Sequence, residues 1–225
     1  VRVTKITKNY DLSPKWELLP WDDFNINVEG AEFGEEEVIV WLDADKIPND
    51  KILITATAKH DANIKATANL DLPYSLAIKL NYSGSEGGRV NLYAYAGYKG
   101  SDGKNLIINA TSGKTLSGKN IIKVEVQDGG TGEILNKIKI TAGTALSINV
   151  SGGEGSYGNN ETRGGNGGNG GNVTLNQDPS ASGLAISVVN NGGTSGKHKE
   201  RPSLNGTVGN NGRYQVNKQP VSLDW

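Results

Sequence analysis

The 225-residue chain sets 23 Lys and Arg against 24 Asp and Glu, a formal charge of −1, and contains neither Cys nor Met. That balance excludes a global basic field, so the chain reads as having no nucleic-acid partner. The missing Cys excludes disulfides, zinc–thiolate sites and thiol catalysis, which leaves packing and the sheet ladder to hold the fold. No apolar run approaches the roughly 18 residues of a transmembrane helix, and the lack of Met even at residue 1 reads as a processed or truncated chain, which a removed signal peptide would explain.

Residues 1–34 read as an extended lead-in, with Trp16 and Trp21 beside Pro14 and Pro20 and short strands at Val1/Val3 and Phe24/Ile26/Val28. Residues 35–150 alternate apolar and polar almost throughout: Val38/Val40/Leu42, Ile52/Ile54/Ala56/Ala58, Ile64/Ala66/Ala68/Leu70, Leu76/Ile78/Leu80, Val90/Leu92/Ala94/Ala96, Ile122/Val124/Val126, Ile138/Ile140 and Leu146/Ile148/Val150. Period-two alternation marks half-buried strands, and no segment shows a period of 3.6. Gly84-Ser85-Glu86-Gly87-Gly88, Ser101-Asp102-Gly103 and Asp128-Gly129-Gly130 read as the turns between them. The fold class is all-β, either sandwich-like or stacked antiparallel hairpins, with residues 151–225 as a glycine-rich β extension. More than half of the 31 glycines fall in that last segment.

The chain also resembles itself. Leu76–Leu80, Ile122–Val126, Leu146–Val150 and Leu184–Val188 are each a short amphipathic strand that discharges into glycine, at Gly84, Gly129, Gly152 and Gly192. After the last two, the glycine stretch returns to a further strand, at Asn172–Leu175 and Arg213–Val216. A degenerate repeat of this kind predicts units that each bury a face on the next.

Gly164–Asn172 is three successive Gly-Gly-Asn triplets. A period of three matches a polyproline-II-type helix, which has no internal hydrogen bonds and must pair its backbone with neighbours. Asn166 and Asn169 then project from one side as candidate ligand contacts. On this tract, over about residues 152–212, the chain resembles bacterial and phage glycine-rich surface proteins built on packed polyglycine helices, tail-fibre adhesins among them. The resemblance implies an ordered glycine bundle that presents loops or flat polar faces for recognition. The competing reading is a flexible loop that joins Val150 to Val173. Collagen is excluded by the absence of proline from the tract, and calcium-binding nonapeptide repeats by Asn where Asp is needed.

Candidate chemistry is sparse. His60 and His198 lie among charged residues and read as solvated loop side chains, with no nucleophile motif or second His at ligand spacing, so the chain reads as non-catalytic and without a cofactor. Asp43, Asp45 and Asp50 cluster at a strand-to-turn junction, where oxygen ligands could hold Ca²⁺, although Lys46 intrudes. In Tyr93-Ala94-Tyr95-Ala96-Gly97-Tyr98, Tyr93 and Tyr95 share one strand face and Tyr98 lies at the following turn. Tyr93, Tyr95 and Tyr98 form a platform for sugar rings or a protein surface if that face points outward, and part of the core if it does not. The expected function is an extracytoplasmic surface or binding module, an adhesin or glycan binder with a glycan or protein surface as partner. The alternatives are a self-associating component of an envelope or fibre, and a secreted hydrolase, against which the missing catalytic motifs count.

Overall fold

The computed structural model describes residues 3–4, 16–17, 23–33, 39–40, 47–88, 97–158 and 162–225. Strand accounts for 41% and helical turns for 5%, so the all-β reading holds against an ordinary strand share of roughly a fifth to a quarter. The chain forms two compact units. One comprises Val1–Leu72 with Thr115–Lys119, the other Pro73–Lys114 with Asn120–Trp225. The glycine-rich segment therefore shares a unit with residues 73–114.

The first unit contains β1 (Val3–Thr4) paired with β2 (Trp16–Glu17), and β4 (Glu32–Phe33) paired with β5 (Ile39–Val40). Its main sheet is antiparallel, in the order β3 (Phe24–Glu29), β6 (Lys51–Ala58), β7 (Lys65–Asp71). Ile47, Ile52 and Ala31 form a small core with Val28, Ile54 and Leu72 against it. Gly30 makes the approach to that core at φ +85°, a conformation that disfavours any Cβ. Every residue of β7 is exposed, so the alternation through Ile64 and Leu70 marks a strand here without marking a buried face.

The second unit is a two-layer sandwich. One layer is the three-stranded parallel sheet β14 (Ala185–Val189), β12 (Ala145–Asn149), β8 (Ile78–Asn81). The other runs β11 (Ile134–Ile140), β10 (Asn120–Asp128), β9 (Leu106–Lys114), β13 (Val173–Gln177), β15 (Tyr214–Lys218). Its first three strands form an antiparallel meander, and β13 and β15 then add in parallel. Leu106, Ile108, Val124, Val126, Ile140, Leu146, Ile148, Val150, Val173 and Leu175 share one buried core, packed by Ile78, Leu80, Ile186 and Val188. On the outer face of the meander, Trp225 lies over Lys123, Lys137 and Lys139 at 5.3–5.5 Å, and its indole N–H donates to the buried Glu125 carboxylate at 3.0 Å.

The repeat takes a form that stacked antiparallel hairpins do not describe. Leu146 stands beside both Ile78 and Ile186 in register, so three of the four repeat copies are neighbouring parallel strands of one layer. The returning strands β9, β13 and β15 lie side by side in the other layer. Each unit goes out in one layer and back in the other, so successive copies run parallel within a layer. The fourth copy, Ile122–Val126, belongs instead to the meander. Leu106–Lys114, the return strand of the first unit, carries no sequence-based prediction, yet Leu106, Ile108 and Ala110 are all fully buried in the core.

Candidate functional site

Between each outgoing and returning strand the chain runs through extended glycine tracts. Among the described residues there are six: 82–88, 97–105, 150–158, 162–172, 190–198 and 204–213, numbered here 1 to 6. Tracts 1, 3 and 5 continue the layer of β8, β12 and β14, and tracts 2, 4 and 6 lead back to β9, β13 and β15. None pairs with itself. Their backbone groups bond from tract to tract at every third residue, as a polyproline-II-type helix requires.

Tract 4 is the centre of this lattice. Gly164, Gly167 and Gly170 donate to Leu204, Thr207 and Asn210 of tract 6, each at 2.8 Å. Gly165, Gly168 and Gly171 donate to Ser156, Gly153 and Val150 of tract 3, again at 2.8 Å. The carbonyls of Asn166 and Asn169 accept from Gly100 and Gly103 of tract 2, and Gly168 and Gly165 accept from Gly193 and Gly196 of tract 5. The triplet thus assigns one direction to each residue, and both glycines must lack a side chain because a backbone lies against each of them. A Cβ on Gly167 would stand 2.5 Å from the Gly193 carbonyl carbon, and one on Gly168 2.5 Å from that of Ser101.

The less regular tracts follow the same rule. Tract 3, also interior, keeps Gly152, Gly153, Gly155, Ser156 and Gly158 small. The outer tracts need only one glycine in three on their inward face: Gly84 and Gly87; Gly97, Gly100 and Gly103; Gly206, Gly209 and Gly212. The two segments read as turns at Gly84–Gly88 and Ser101–Gly103 are therefore walls of the bundle. The flexible-loop reading is corrected as well, since residues 150–158 and 162–172 are tracts of the bundle's interior.

The structure gives the tract asparagines structural work. Asn166, Asn169 and Asn172 accept through Oδ1 from the N–H groups of Thr207, Asn210 and Arg213 at 2.8–2.9 Å. They do project from one side, and there they supply acceptors to an outer tract that has no further neighbour. Asp102 and Asn105 do the same for the N–H groups of Asn169 and Asn172. The Lys99 ammonium beside Asp102, together with the Asn169 N–H, holds its carboxyl below the usual carboxylate range.

Among the described residues, Gly97, Gly158, Thr162, His198 and Leu204 lie together at the pole remote from the sandwich. Gly97 N–H meets Arg163 O at 2.7 Å, Gly158 N–H meets Lys197 O at 3.0 Å, and Gly164 N–H meets Leu204 O at 2.8 Å. At about 3.1 Å per residue, a tract of this length carries the pole roughly 30 Å beyond the strand ends. Tyr98 and Tyr157 are 47% and 65% exposed there, and Arg163, Lys197, Lys199 and Arg201 are exposed beside them. Tyr157 carried no prediction. Its signal was an aromatic side chain inside a glycine tract, where only an outward position can accept one.

Tyr93 and Tyr95 lie outside the described residues, as do Asp43 and Asp45. Asp50 is buried in the first unit, and its carboxylate accepts from the hydroxyls of Thr115 and Ser117. His60 is exposed, as expected. His198 differs: it is 5% exposed, because its Nδ1 accepts from the N–H groups of Glu200 and Arg201 at 3.2 and 2.9 Å and folds the turn over the ring. A concave surface at the opposite end of the sandwich is lined by Ser112, Lys114, Asn120, Ile121, Ser180 and Ser182, without a carboxylate or histidine. No family model, curated protein or solved structure matches the chain.

Proposed function

We propose that this chain is a non-catalytic, extracytoplasmic recognition module of the adhesin type, in which a glycine-helix bundle holds a binding pole away from the sandwich. The observation that carries this reading is that exposed Tyr98 and Tyr157 lie with exposed Arg163, Lys197, Lys199 and Arg201 at one pole of a backbone lattice. Glycine cores leave few side chains to pack, so the bundle gains order from hydrogen bonds in place of apolar area. Such an arrangement gains nothing for chemistry, which needs an enclosed constellation of acids, bases or nucleophiles. It suits display, because a rigid support reduces the ordering cost of binding.

The test is retention of the intact protein on immobilised bacterial envelope glycans. The double variant Tyr98→Ala/Tyr157→Ala at the pole is expected to lose retention, and Asn191→Ala on the bundle side to keep it. Equal retention of both variants would refute a polar binding site. A fibre or envelope component is the second reading. It is favoured by the edge strand β15, whose Tyr214 and Val216 remain exposed together with Val189 and Val208. Concentration-dependent assembly in sedimentation velocity, abolished by Val216→Lys, would favour it over the first.

A further inference from the structure

The chain's formal charge of −1 is the balance of two unequal parts. Among the described residues of the pole, Arg163, Lys197, Lys199 and Arg201 stand against Glu200, a balance of +3. The rest of the chain is left at −4. Arg163, Lys197, Lys199 and Arg201 are exposed, and none forms an ion pair with a described residue. Elsewhere in the bundle Lys99 pairs with Asp102, and Lys104 with Asp128. His198 sits within the same cationic turn. Because its Nδ1 accepts two backbone N–H groups, the proton of the neutral ring is on Nε2. That Nε2 is the one buried side-chain polar atom among the described residues without a partner.

We propose, building on the recognition reading above, that the pole binds an anionic polysaccharide. Arg163, Lys197, Lys199 and Arg201 pair with its acid groups, and Tyr98 and Tyr157 stack on its sugar rings. Guanidinium groups match carboxylate or phosphate with two parallel hydrogen bonds, and lysines add mobile point charge at the rim. These cations form no ion pair with a described residue, which leaves them charge to offer an anionic ligand. A nucleic acid fits less well. It needs a basic stripe that tracks many phosphates, whereas here Glu200 interrupts the short run of cations Lys197, Lys199 and Arg201.

The experiment measures binding of the full chain to polygalacturonate, to phosphomannan and to neutral mannan, with single-stranded DNA of similar charge as a fourth probe. The first two separate carboxylate from phosphate as the recognised group. The expected result is binding to at least one acidic glycan, weakened at least tenfold by raising salt from 50 to 500 mM and at least tenfold by Lys197→Glu/Lys199→Glu. The control Lys79→Glu/Lys114→Glu, which makes the same charge change on exposed lysines of β8 and β9 in the sandwich, is expected to stay within about threefold. Mannan bound as tightly as the acidic glycans would overturn the anionic ligand and leave the recognition site standing. So would retention on envelope glycans without binding to either acidic probe. Loss of binding in both double variants alike would reduce the effect to net charge and overturn the assignment to the pole. DNA bound more tightly than either glycan would replace the polysaccharide with a nucleic acid.

Discussion

Substituting Gly168 by alanine adds one methyl group at the centre of the bundle, where the structure leaves no room for it. The new Cβ would overlap the Ser101 carbonyl oxygen, lie 2.5 Å from its carbon and 2.8 Å from Gly100 O. These are backbone atoms, so no rotamer change relieves the overlap. Tract 2 or tract 4 must move by about 1 Å or more to restore van der Waals spacing. That movement pulls on the bonds Gly100 N–H to Asn166 O (2.9 Å) and Gly103 N–H to Asn169 O (2.8 Å) between tracts 2 and 4. Overpacking costs about 1–3 kcal/mol, and two weakened hydrogen bonds add about 0.5–1.5 kcal/mol each. The entropy that the unfolded chain loses when Gly becomes Ala offsets about 0.4–1 kcal/mol of this, which leaves a net loss of roughly 1–5.5 kcal/mol. Gly88→Ala is the matched control, because nothing lies within 4 Å of its Cβ position. It is expected to be neutral or slightly stabilising. Urea denaturation of the two variants reads the difference directly. A Gly168→Ala stability within about 0.5 kcal/mol of Gly88→Ala would refute the packed-lattice account, because a loose tract would absorb the methyl group.

Asn169→Ala removes the acceptor for Asn210 N–H and is expected to cost about 0.5–1.5 kcal/mol, whereas Asn191→Ala, whose exposed side chain bonds to nothing, should fall within about 0.5 kcal/mol of wild type. Equal melting temperatures for these two would remove the structural role given to the triplet asparagines. Asp102 has a folded pKa below its unfolded value, so its stabilisation is present above about pH 3.9 and is lost as pH falls through the lower folded value. Asp102→Asn is therefore expected to melt lower than wild type at neutral pH, yet to lose less on acidification to pH 2.5. An unchanged acid dependence would show that this carboxylate does not contribute.

The strands of the sandwich were legible because burial imposes a period of two on local sequence. Lys51–Ala58, Asn120–Asp128 and Ala145–Asn149 all follow their alternating residues. Leu106–Lys114 was missed although it alternates, since Ser101-Asp102-Gly103 looked like the turn that ends a strand region. The same confusion hid half of the bundle. Gly97, Gly100 and Gly103, and likewise Gly206, Gly209 and Gly212, recur at intervals of three, a signal as regular as Gly-Gly-Asn but diluted by two side chains per turn. Those side chains are tolerated because they point away from the lattice, and which way a tract points is decided by how many neighbours surround it. His198 shows the same limit at the scale of one residue. Its neighbours Lys197 and Lys199 make it look solvated, but the two N–H groups that its ring accepts bury it.

By itself, then, the sequence determined the β class, the repeating out-and-back unit and the one strict glycine tract, because each is a local periodicity set by backbone geometry. Only the tertiary structure decided that the units run parallel within two layers, that six tracts form one lattice, and that cations far apart in the chain share a pole. Those are relations between segments 41 and 67 residues apart, fixed by hydrogen bonds that polyproline-II-type tracts can make only to one another.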